Sequence, residues 1–279
     1  MELKVIAYAR NGHTDKFGIP RQSREESPIV TRIVFEPEYR VPEALRGIEG
    51  YSHLWLIWGF SDVRRTDVQC TKDVQREEST KGDLSWSPTV RPPRLGGNTR
   101  MGVFATRSPF RPNPIGLSSV RLIEVRRTDV QCTKDVQRGK STKGCGLELI
   151  VCGADLMDGT PIYDIKPYLS FSDSHPEAKN GFAEEHKEYR LEINWDALGF
   201  SLGQSSTNHL LITYYSPTNN ILLSGREKAE LEYILSQDPR PAYQDDPDRE
   251  YKMDYAGYTV SFSVNKQTVF VKKIEKKQK

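Results

Sequence analysis

An arginine-rich window without acidic residues is the part of the sequence whose residue types most clearly suggest chemistry. Residues 84–123 contain no aspartate or glutamate, although charged residues make up 28% of the whole chain. Arginine presents a planar fork of donors that binds phosphate and carboxylate groups in a bidentate manner. The window therefore predicts an anion-binding surface, and the alternative is that acidic residues from elsewhere pair with it. Its arginines are Arg91, Arg94, Arg100, Arg107, Arg111 and Arg121.

Inside this window, the segment RSPFRPNPIG at residues 107–116 is expected to be stiff. It contains three prolines, each of which fixes its own φ angle, lacks a backbone donor and biases the preceding residue away from helix. A stiff loop holds polar groups in place without an ordering cost on binding, which favours a preformed site. Phe110 fits either a buried anchor or an exposed platform on which a nucleic-acid base stacks.

A second polar segment, GADLMDGTPIYDIKPYL at residues 153–169, gathers Asp155, Asp158, Asp164 and Lys166 around an Asp-Gly turn. Carboxylates act as general bases and also bind ribose hydroxyls. Capping of the turn by its aspartates is an equally good explanation. We expect no metal site, because the cysteines form no CxxC pair and no histidine lies at zinc-ligand spacing from them.

The composition is that of a globular protein with one large domain or two smaller ones. The chain has 279 residues, 36% of them hydrophobic, and a formal net charge of +2, so its global charge does not indicate nucleic-acid binding. No apolar run reaches the roughly 18 residues of a membrane helix, and none resembles a signal peptide. These features predict a soluble cytoplasmic protein with reduced thiols.

One sequence element of twenty residues occurs twice. Residues 63–82 read VRRTDVQCTKDVQREESTKG and residues 125–144 read VRRTDVQCTKDVQRGKSTKG, so the copies differ at two positions. A structural repeat would be more degenerate and would carry similar flanks, whereas these flanks are unrelated. We interpret both copies as insertions into surface loops, where added length costs little closure entropy. The functional alternative is an RNA-binding arm.

The elements that must position these residues are mostly short strands, because β-branched and aromatic runs alternate with Gly, Pro and Asn. The chain lacks the glycine-rich loops of a doubly wound nucleotide fold, which favours a barrel or sandwich. Beyond a linker near residues 172–182, the pattern predicts a small α+β unit with a helix at 224–237. The predicted strands are 3–9, 29–35, 52–60, 101–106, 117–125, 147–156, 189–195 and 209–215, followed by GYTVSFSV and QTVFVKKI.

Several stretches carry a family resemblance. They are GIPRQS (18–23), GIEGYSHLWLIWGF (47–60), TVRPPRLGGNTRMGVFATRSPFRPNPIGLSSVRL (89–122), GADLMDGTPIYDIKPYL (153–169) and QDPRPAY (237–243). Together they resemble the TrmO/TsaA-like family of tRNA N6-threonylcarbamoyladenosine methyltransferases. The resemblance extends over nearly the whole chain apart from the two copies, and it is most specific in residues 89–122.

The resemblance implies a mainly β fold with an α+β appendage. Residues 1–175 would form a β-barrel domain that binds S-adenosylmethionine (SAM), and residues 176–279 a small C-terminal α+β domain. It further implies a homodimer that methylates N6 of threonylcarbamoyladenosine at tRNA position 37, chiefly in threonine tRNAs. The implied cofactor contacts are Pro20, Arg21, Gln22, Ser61, Asp62, Arg107, Leu117, Ala154, Asp155, Leu156 and Met157. Ser61 and Asp62 stand where relatives usually have histidine and glutamine.

The modified base and the anticodon loop would be contacted by a second set of residues, and the resemblance identifies no catalytic base. Two other hypotheses stay open at this point. One is an RNA-binding barrel without catalytic activity, and the other is a SAM-dependent methyltransferase with a different acceptor. The residues expected to contact the substrate are Phe110, Arg111, Asn113, Asp158, Lys166 and Arg240.

Overall fold

The computed structural model describes residues 2–60, 86–92, 99–128, 146–186, 190–199, 201–202, 213–216, 221–240 and 246–277. The helices are α1 (Ser170–Asp173) and α2 (Gly225–Ser236). The strands are β1 (Ala7–Arg10), β2 (Val30–Phe35), β3 (His53–Gly59), β4 (Thr89–Val90), β5 (Met101–Gly102), β6 (Ile115–Thr128), β7 (Gly146–Cys152), β8 (Pro161–Pro167), β9 (Glu192–Asn194), β10 (Ser201–Leu202), β11 (Thr213–Ser216), β12 (Ile221–Ser224), β13 (Tyr251–Tyr255), β14 (Tyr258–Asn265) and β15 (Thr268–Lys276).

Six strands of the N-terminal part pair into one antiparallel sheet that closes on itself. Their order is β1-β2-β7-β6-β3-β8, and β8 returns to pair with β1. Alternate side chains point inward, so that Leu54 and Leu56 of β3 pack with Leu149 and Val151 of β7 in a fully buried core. The mainly β character predicted from the sequence is confirmed.

The C-terminal part has its own hydrophobic core. The sheet β13-β14-β15-β9 and the smaller sheet β10-β11-β12 accompany α2, and Leu231 and Ile234 of the helix lie in one cluster with Phe262 of β14. Ser224 and Glu227 form a reciprocal capping box at the start of α2, which satisfies backbone donors that the first helical turn leaves open. The helix predicted at 224–237 is therefore confirmed. Within the described part of the chain, no helix is long and apolar enough to cross a membrane.

The segment that follows β1 is packed on this C-terminal core. The ring of Phe17 stacks on that of Phe262 with centroids 6.5 Å apart. Gly18 has a φ of +93°, and a Cβ at this position would lie 2.3 Å from the Sδ atom of Met253. Only glycine combines this backbone conformation with so close an approach. The C-terminal part therefore fixes the course of the chain at residues 17–18.

The structure departs from the predicted elements in two places that matter for the site. The strand predicted at 101–106 is wrong beyond Gly102, because its partner β4 is only two residues long and a 3₁₀ turn follows at Val103–Ala105. Strand β8 is absent from the predicted strands, because its prolines at both ends and its two charged residues interrupt the apolar pattern that predicts a strand.

The second copy of the repeated element does not begin in a loop as predicted. Its first residues, 125–128, belong to β6 and pair with residues 146–149 of β7. The first four residues of this copy therefore extend β6, and its residues 129–144 lie outside the described residues. The first copy, at 63–82, lies wholly outside the described residues.

Candidate active site

A cavity of about 860 Å³ opens at one end of the closed sheet. Its walls are formed by residues of β3 and by the beginning of β6, together with the segments that follow β1 and β7 and with Thr160, which precedes β8. The structure thus brings together the residues 16–21, 106–117 and 155–160, which are far apart in sequence. The predicted site residues that line the cavity are Pro20, Arg21, Arg107, Phe110, Arg111, Asn113, Leu117, Asp155 and Met157.

The loop at 107–116 is pinned by hydrogen bonds as well as by its prolines. The Arg107 Nη1 atom donates to Oε1 of Gln22 at 2.6 Å, and Arg111 Nη1 donates to the carbonyl oxygen of Thr106 at 2.8 Å. The carbonyl oxygen of Phe110 accepts from the backbone N–H of Ser87 at 3.0 Å. Gln22 does not line the cavity itself, so its contribution is to orient the Arg107 guanidinium.

Asp155 is held in the cavity wall by a chain of two hydrogen bonds. The indole Nε1–H of Trp58 donates to Ser118 Oγ at 2.9 Å, and Ser118 Oγ donates to Asp155 Oδ1 at 2.5 Å. Burial raises the pKa of the Asp155 carboxyl above its ordinary value, while the bond from Ser118 and the charge of Arg107 act in the opposite direction. A carboxylate in such surroundings is a group that can take up and release a proton.

Gly116 allows Trp58 to lie where it does. A Cβ on Gly116 would come within 2.2 Å of the Cε2 atom of the indole, so no larger residue fits opposite Trp58 in the register that pairs these two positions. The glycine of the RSPFRPNPIG segment therefore serves close packing beneath the cavity.

The segment after β7 presents alternate side chains to the cavity. Ala154 and Leu156 are fully buried in the core, while Asp155 and Met157 line the cavity. The Leu156 carbonyl oxygen accepts from Asn11 Nδ2 at 2.9 Å, which ties the segment to the end of β1. The two buried residues can reach a cavity ligand only through their backbone atoms.

Comparison with known families agrees with this arrangement. The family model described as the tRNA-methyltransferase O N-terminal domain matches residues 8–174, which contain the cavity and all of the closed sheet except Ala7. The chain belongs to the TrmO family. A second model, the TrmO C-terminal domain, matches residues 226–277.

Individual members of the TrmO family match over most of their length. The tRNA (adenine(37)-N6)-methyltransferase of Escherichia coli K12 is 35% identical over 87% of this chain and 83% of its own. A Pseudomonas aeruginosa protein named as a putative S-adenosylmethionine-dependent methyltransferase is 33% identical over 89% of this chain and 86% of its own. A crystal structure of TrmO from Pseudomonas aeruginosa aligns with a TM-score of 0.64 at 24% identity, covering 99% of this chain and 97% of that one.

Three residues expected to contact the substrate lie outside this cavity in the TrmO-family chain. Asp158 accepts from the backbone N–H of Asn11 at 3.1 Å and lines a separate cavity. Lys166 is exposed on β8 and pairs with Asp164 at 3.0 Å. Arg240 is only 6% exposed. Their contacts with RNA stay predictions, and Ser61 and Asp62 lie outside the described residues.

Arg240 is connected to the cavity through its backbone. Its guanidinium forms two bonds to the Asp238 carboxylate, Nε to Oδ1 at 2.8 Å and Nη2 to Oδ2 at 3.0 Å. Its carbonyl oxygen accepts from Nη2 of Arg21 at 3.1 Å. Burial lowers the pKa of the Arg21 guanidinium, and the charge of Asp238 partly offsets this effect. Arg240 therefore helps to hold Arg21 in the cavity wall through its backbone carbonyl.

Sequence reasoning did not single out Trp58 and Ser118, although both support Asp155. The sequence did contain one signal of this support, which is Ser118 itself. Ser118 alternates with the apolar Val120 on the inward face of β6, so a hydroxyl is expected in the core. A buried polar group of this kind requires a hydrogen-bond partner. The identity of the partners depends on contacts across 37 and 60 residues of sequence, which no local pattern reveals.

Proposed function

We propose that this protein is a SAM-dependent methyltransferase that methylates N6 of threonylcarbamoyladenosine at position 37 of tRNA, chiefly in threonine tRNAs. One observation carries the proposal: Arg107 and Asp155 converge on one large cavity in a chain that belongs to the TrmO family. Relatives named as tRNA (adenine(37)-N6)-methyltransferases favour this proposal over a non-catalytic RNA-binding protein.

The chemistry of the cavity walls fits SAM. Its volume of about 860 Å³ lies within the range of roughly 300–1,000 Å³ that small-molecule sites occupy. Arg107 would bind the carboxylate of the cofactor, and Leu117 and Met157 offer apolar surface. Among the described residues that line the cavity, Asp155 is the only acid, and it suits the positively charged groups of SAM. When bound, SAM would supply an electrophilic methyl group: N6 of the acceptor would form a bond to the methyl carbon in line with the breaking S–C bond, and S-adenosylhomocysteine would be the leaving group.

The residues of the chain then have to align the acceptor and handle one proton. Alignment of the reacting groups supplies much of the rate enhancement in such a displacement. We assign the proton that N6 loses to the Asp155 carboxylate, because this group lies in the cavity and burial raises its pKa. Phe110, Arg111 and Asn113 lie on the same walls and would hold the modified base. A base in a single-stranded loop needs no duplex opening.

The remaining parts of the proposal concern organisation. Residues 1–175 would be a β-barrel methyltransferase domain and residues 176–279 a small α+β domain, in line with the two separate cores. The proposed assembly is the homodimer that the family resemblance implies. The cytoplasm is the location that fits a tRNA substrate.

Calorimetric titration with SAM tests the proposal. We expect saturable binding by the wild-type protein and binding at least about 10-fold weaker for Arg107→Ala, since a charge-assisted bond to a carboxylate is lost. Arg100→Ala is the matched control, because Arg100 belongs to the same arginine-rich window but bonds to Thr89 outside the cavity. Absence of heat at high protein concentration would favour the non-catalytic RNA-binding alternative.

A further inference from the structure

The rim of the cavity carries an exposed aromatic ring that the proposed mechanism does not use. Phe104 lies in the 3₁₀ turn between β5 and the stiff loop, and 68% of it is exposed. The sequence left Phe110 open as either a buried anchor or an exposed stacking platform, and in the structure it is partly buried and lines the cavity wall. Of these two phenylalanines, Phe104 is the one whose side chain is exposed to solvent.

The ring of Phe104 is fixed in place from several sides. The guanidinium of Arg111 lies over it, with Cζ 5.7 Å from the ring centroid. Trp86 lies beside it, with ring centroids 5.9 Å apart. The adjacent Val103 is buried, and its backbone N–H donates to the carbonyl oxygen of Pro88 at 2.9 Å. A ring that is exposed and already fixed by its neighbours can stack on a partner with little loss of side-chain freedom, which favours binding.

The charge around the ring identifies the kind of partner. Residues 84–123 contain no acid, and Arg111, which lies over the ring, also lines the cavity together with Arg107. An aromatic ring set among arginines matches single-stranded nucleic acid, whose bases stack while its phosphates bind the cations. A symmetric contact with a second copy would instead bring the same arginines against each other across the two-fold axis.

We propose that Phe104 is a stacking platform for a nucleobase of the tRNA anticodon loop that neighbours the methylated adenosine. This inference rests on the proposed function, because it takes the tRNA as the substrate of the adjoining cavity. Every base has an aromatic face, so the platform adds affinity and positions the loop without selecting a particular base. Arg111 serves both places, since it lies over Phe104 and lines the cavity.

The test compares full-length Phe104→Ala, Phe104→Trp and wild-type proteins with tRNA that carries the threonylcarbamoyl group. We expect Phe104→Ala to bind this tRNA at least about 10-fold more weakly, and Phe104→Trp to bind within about twofold of wild type. The slope of log Kd against log salt should be unchanged, because stacking releases no counterions. SAM affinity measured by calorimetry should also be unchanged. Phe270→Ala, which removes a partly exposed ring of β15, is the control and should behave as wild type.

The possible outcomes separate this inference from the proposed function. If Phe104→Ala binds tRNA as wild type while the wild-type enzyme methylates it, the platform is wrong and the function stands. If Phe104→Ala changes the oligomeric mass in sedimentation, the ring packs on another copy and the platform is also wrong. If wild type binds tRNA through Phe104 but transfers no methyl group, the proposed function fails and the platform stands. A wild-type protein that does not bind tRNA contradicts both.

Discussion

Replacement of Ser118 by alanine is expected to lower the free energy of unfolding and to shift the acid limb of the pH–activity profile. Ser118 is fully buried, accepts from Trp58 Nε1 and donates to Asp155 Oδ1. The variant loses a hydrogen bond to a charged group and leaves a buried indole N–H without its acceptor, at a combined cost of about 3 kcal/mol in the free energy of unfolding.

The pH dependence follows from the direction in which Ser118 acts on Asp155. Its hydrogen bond lowers the pKa of a carboxyl that burial raises, so the variant should have a still higher pKa. If Asp155 must be ionised to accept the proton of N6, the acid limb of kcat/KM moves to higher pH. Because Ser118 stabilises the charged form, the stability loss should be present above the raised folded-state pKa and should shrink as pH falls through it.

Urea unfolding at several pH values and a pH profile of methyl transfer measure these two effects. The control is Ser119→Ala, the next residue of β6, whose side chain points to the opposite face of the sheet. We expect it to change stability by less than about 0.5 kcal/mol. A Ser118→Ala protein with wild-type stability and an unmoved pH profile would refute the assignment of Asp155 as the proton acceptor.

Three further perturbations test other parts of the account. Deletion of residues 129–143 leaves Gly144–Cys145 as a two-residue loop between the paired ends of β6 and β7, a loop length that suits a hairpin. Because this end of β6 is opposite the cavity, SAM affinity should stay within about twofold, and lost activity in a folded variant would contradict the passive-insertion interpretation. Burial lowers the pKa of His13 to about 4, so acid favours the unfolded state, in which this histidine is protonated. Between pH 6.5 and 4, wild type should therefore lose about 3 kcal/mol more in the free energy of unfolding than His13→Gln. Parallel curves of unfolding free energy against pH for the two proteins, measured with urea, would contradict this. Arg240→Ala should cost about 3 kcal/mol, because the largely buried Asp238 carboxylate loses the two hydrogen bonds from the guanidinium. It should leave the salt dependence of tRNA binding unchanged, whereas a smaller salt slope at wild-type stability would show that Arg240 binds phosphate.

The strands that could be predicted from the sequence are those with continuous apolar character. The run at 52–60 contains three bulky aromatic residues and forms β3 at His53–Gly59. The helix predicted at 224–237 agrees with α2 within a residue at each end. Strand β8 was missed because its pairing to β1 and β3, rather than its own residues, makes it a strand.

The candidate site could be predicted in part for a similar reason. Residue type alone indicated that Arg107 and Asp155 belong to polar segments, and the cavity brings both together. Residue type could not decide whether Phe110 is buried or exposed, because exposure depends on which neighbours the loop packs against. The family resemblance implied that Arg240 contacts the RNA, whereas in the structure its guanidinium bonds to Asp238. Whether this arginine also meets RNA is what the salt series decides.

Methyl transfer to defined tRNA tests the central claim most directly. Purified protein is incubated with isotopically labelled SAM and threonine tRNA that either carries or lacks the threonylcarbamoyl group at position 37, and the digested nucleosides are analysed by mass spectrometry. We expect one labelled methyl group on threonylcarbamoyladenosine and none on the unmodified tRNA. Label on another nucleoside, equal labelling of both tRNAs, or no label on either would contradict the claim.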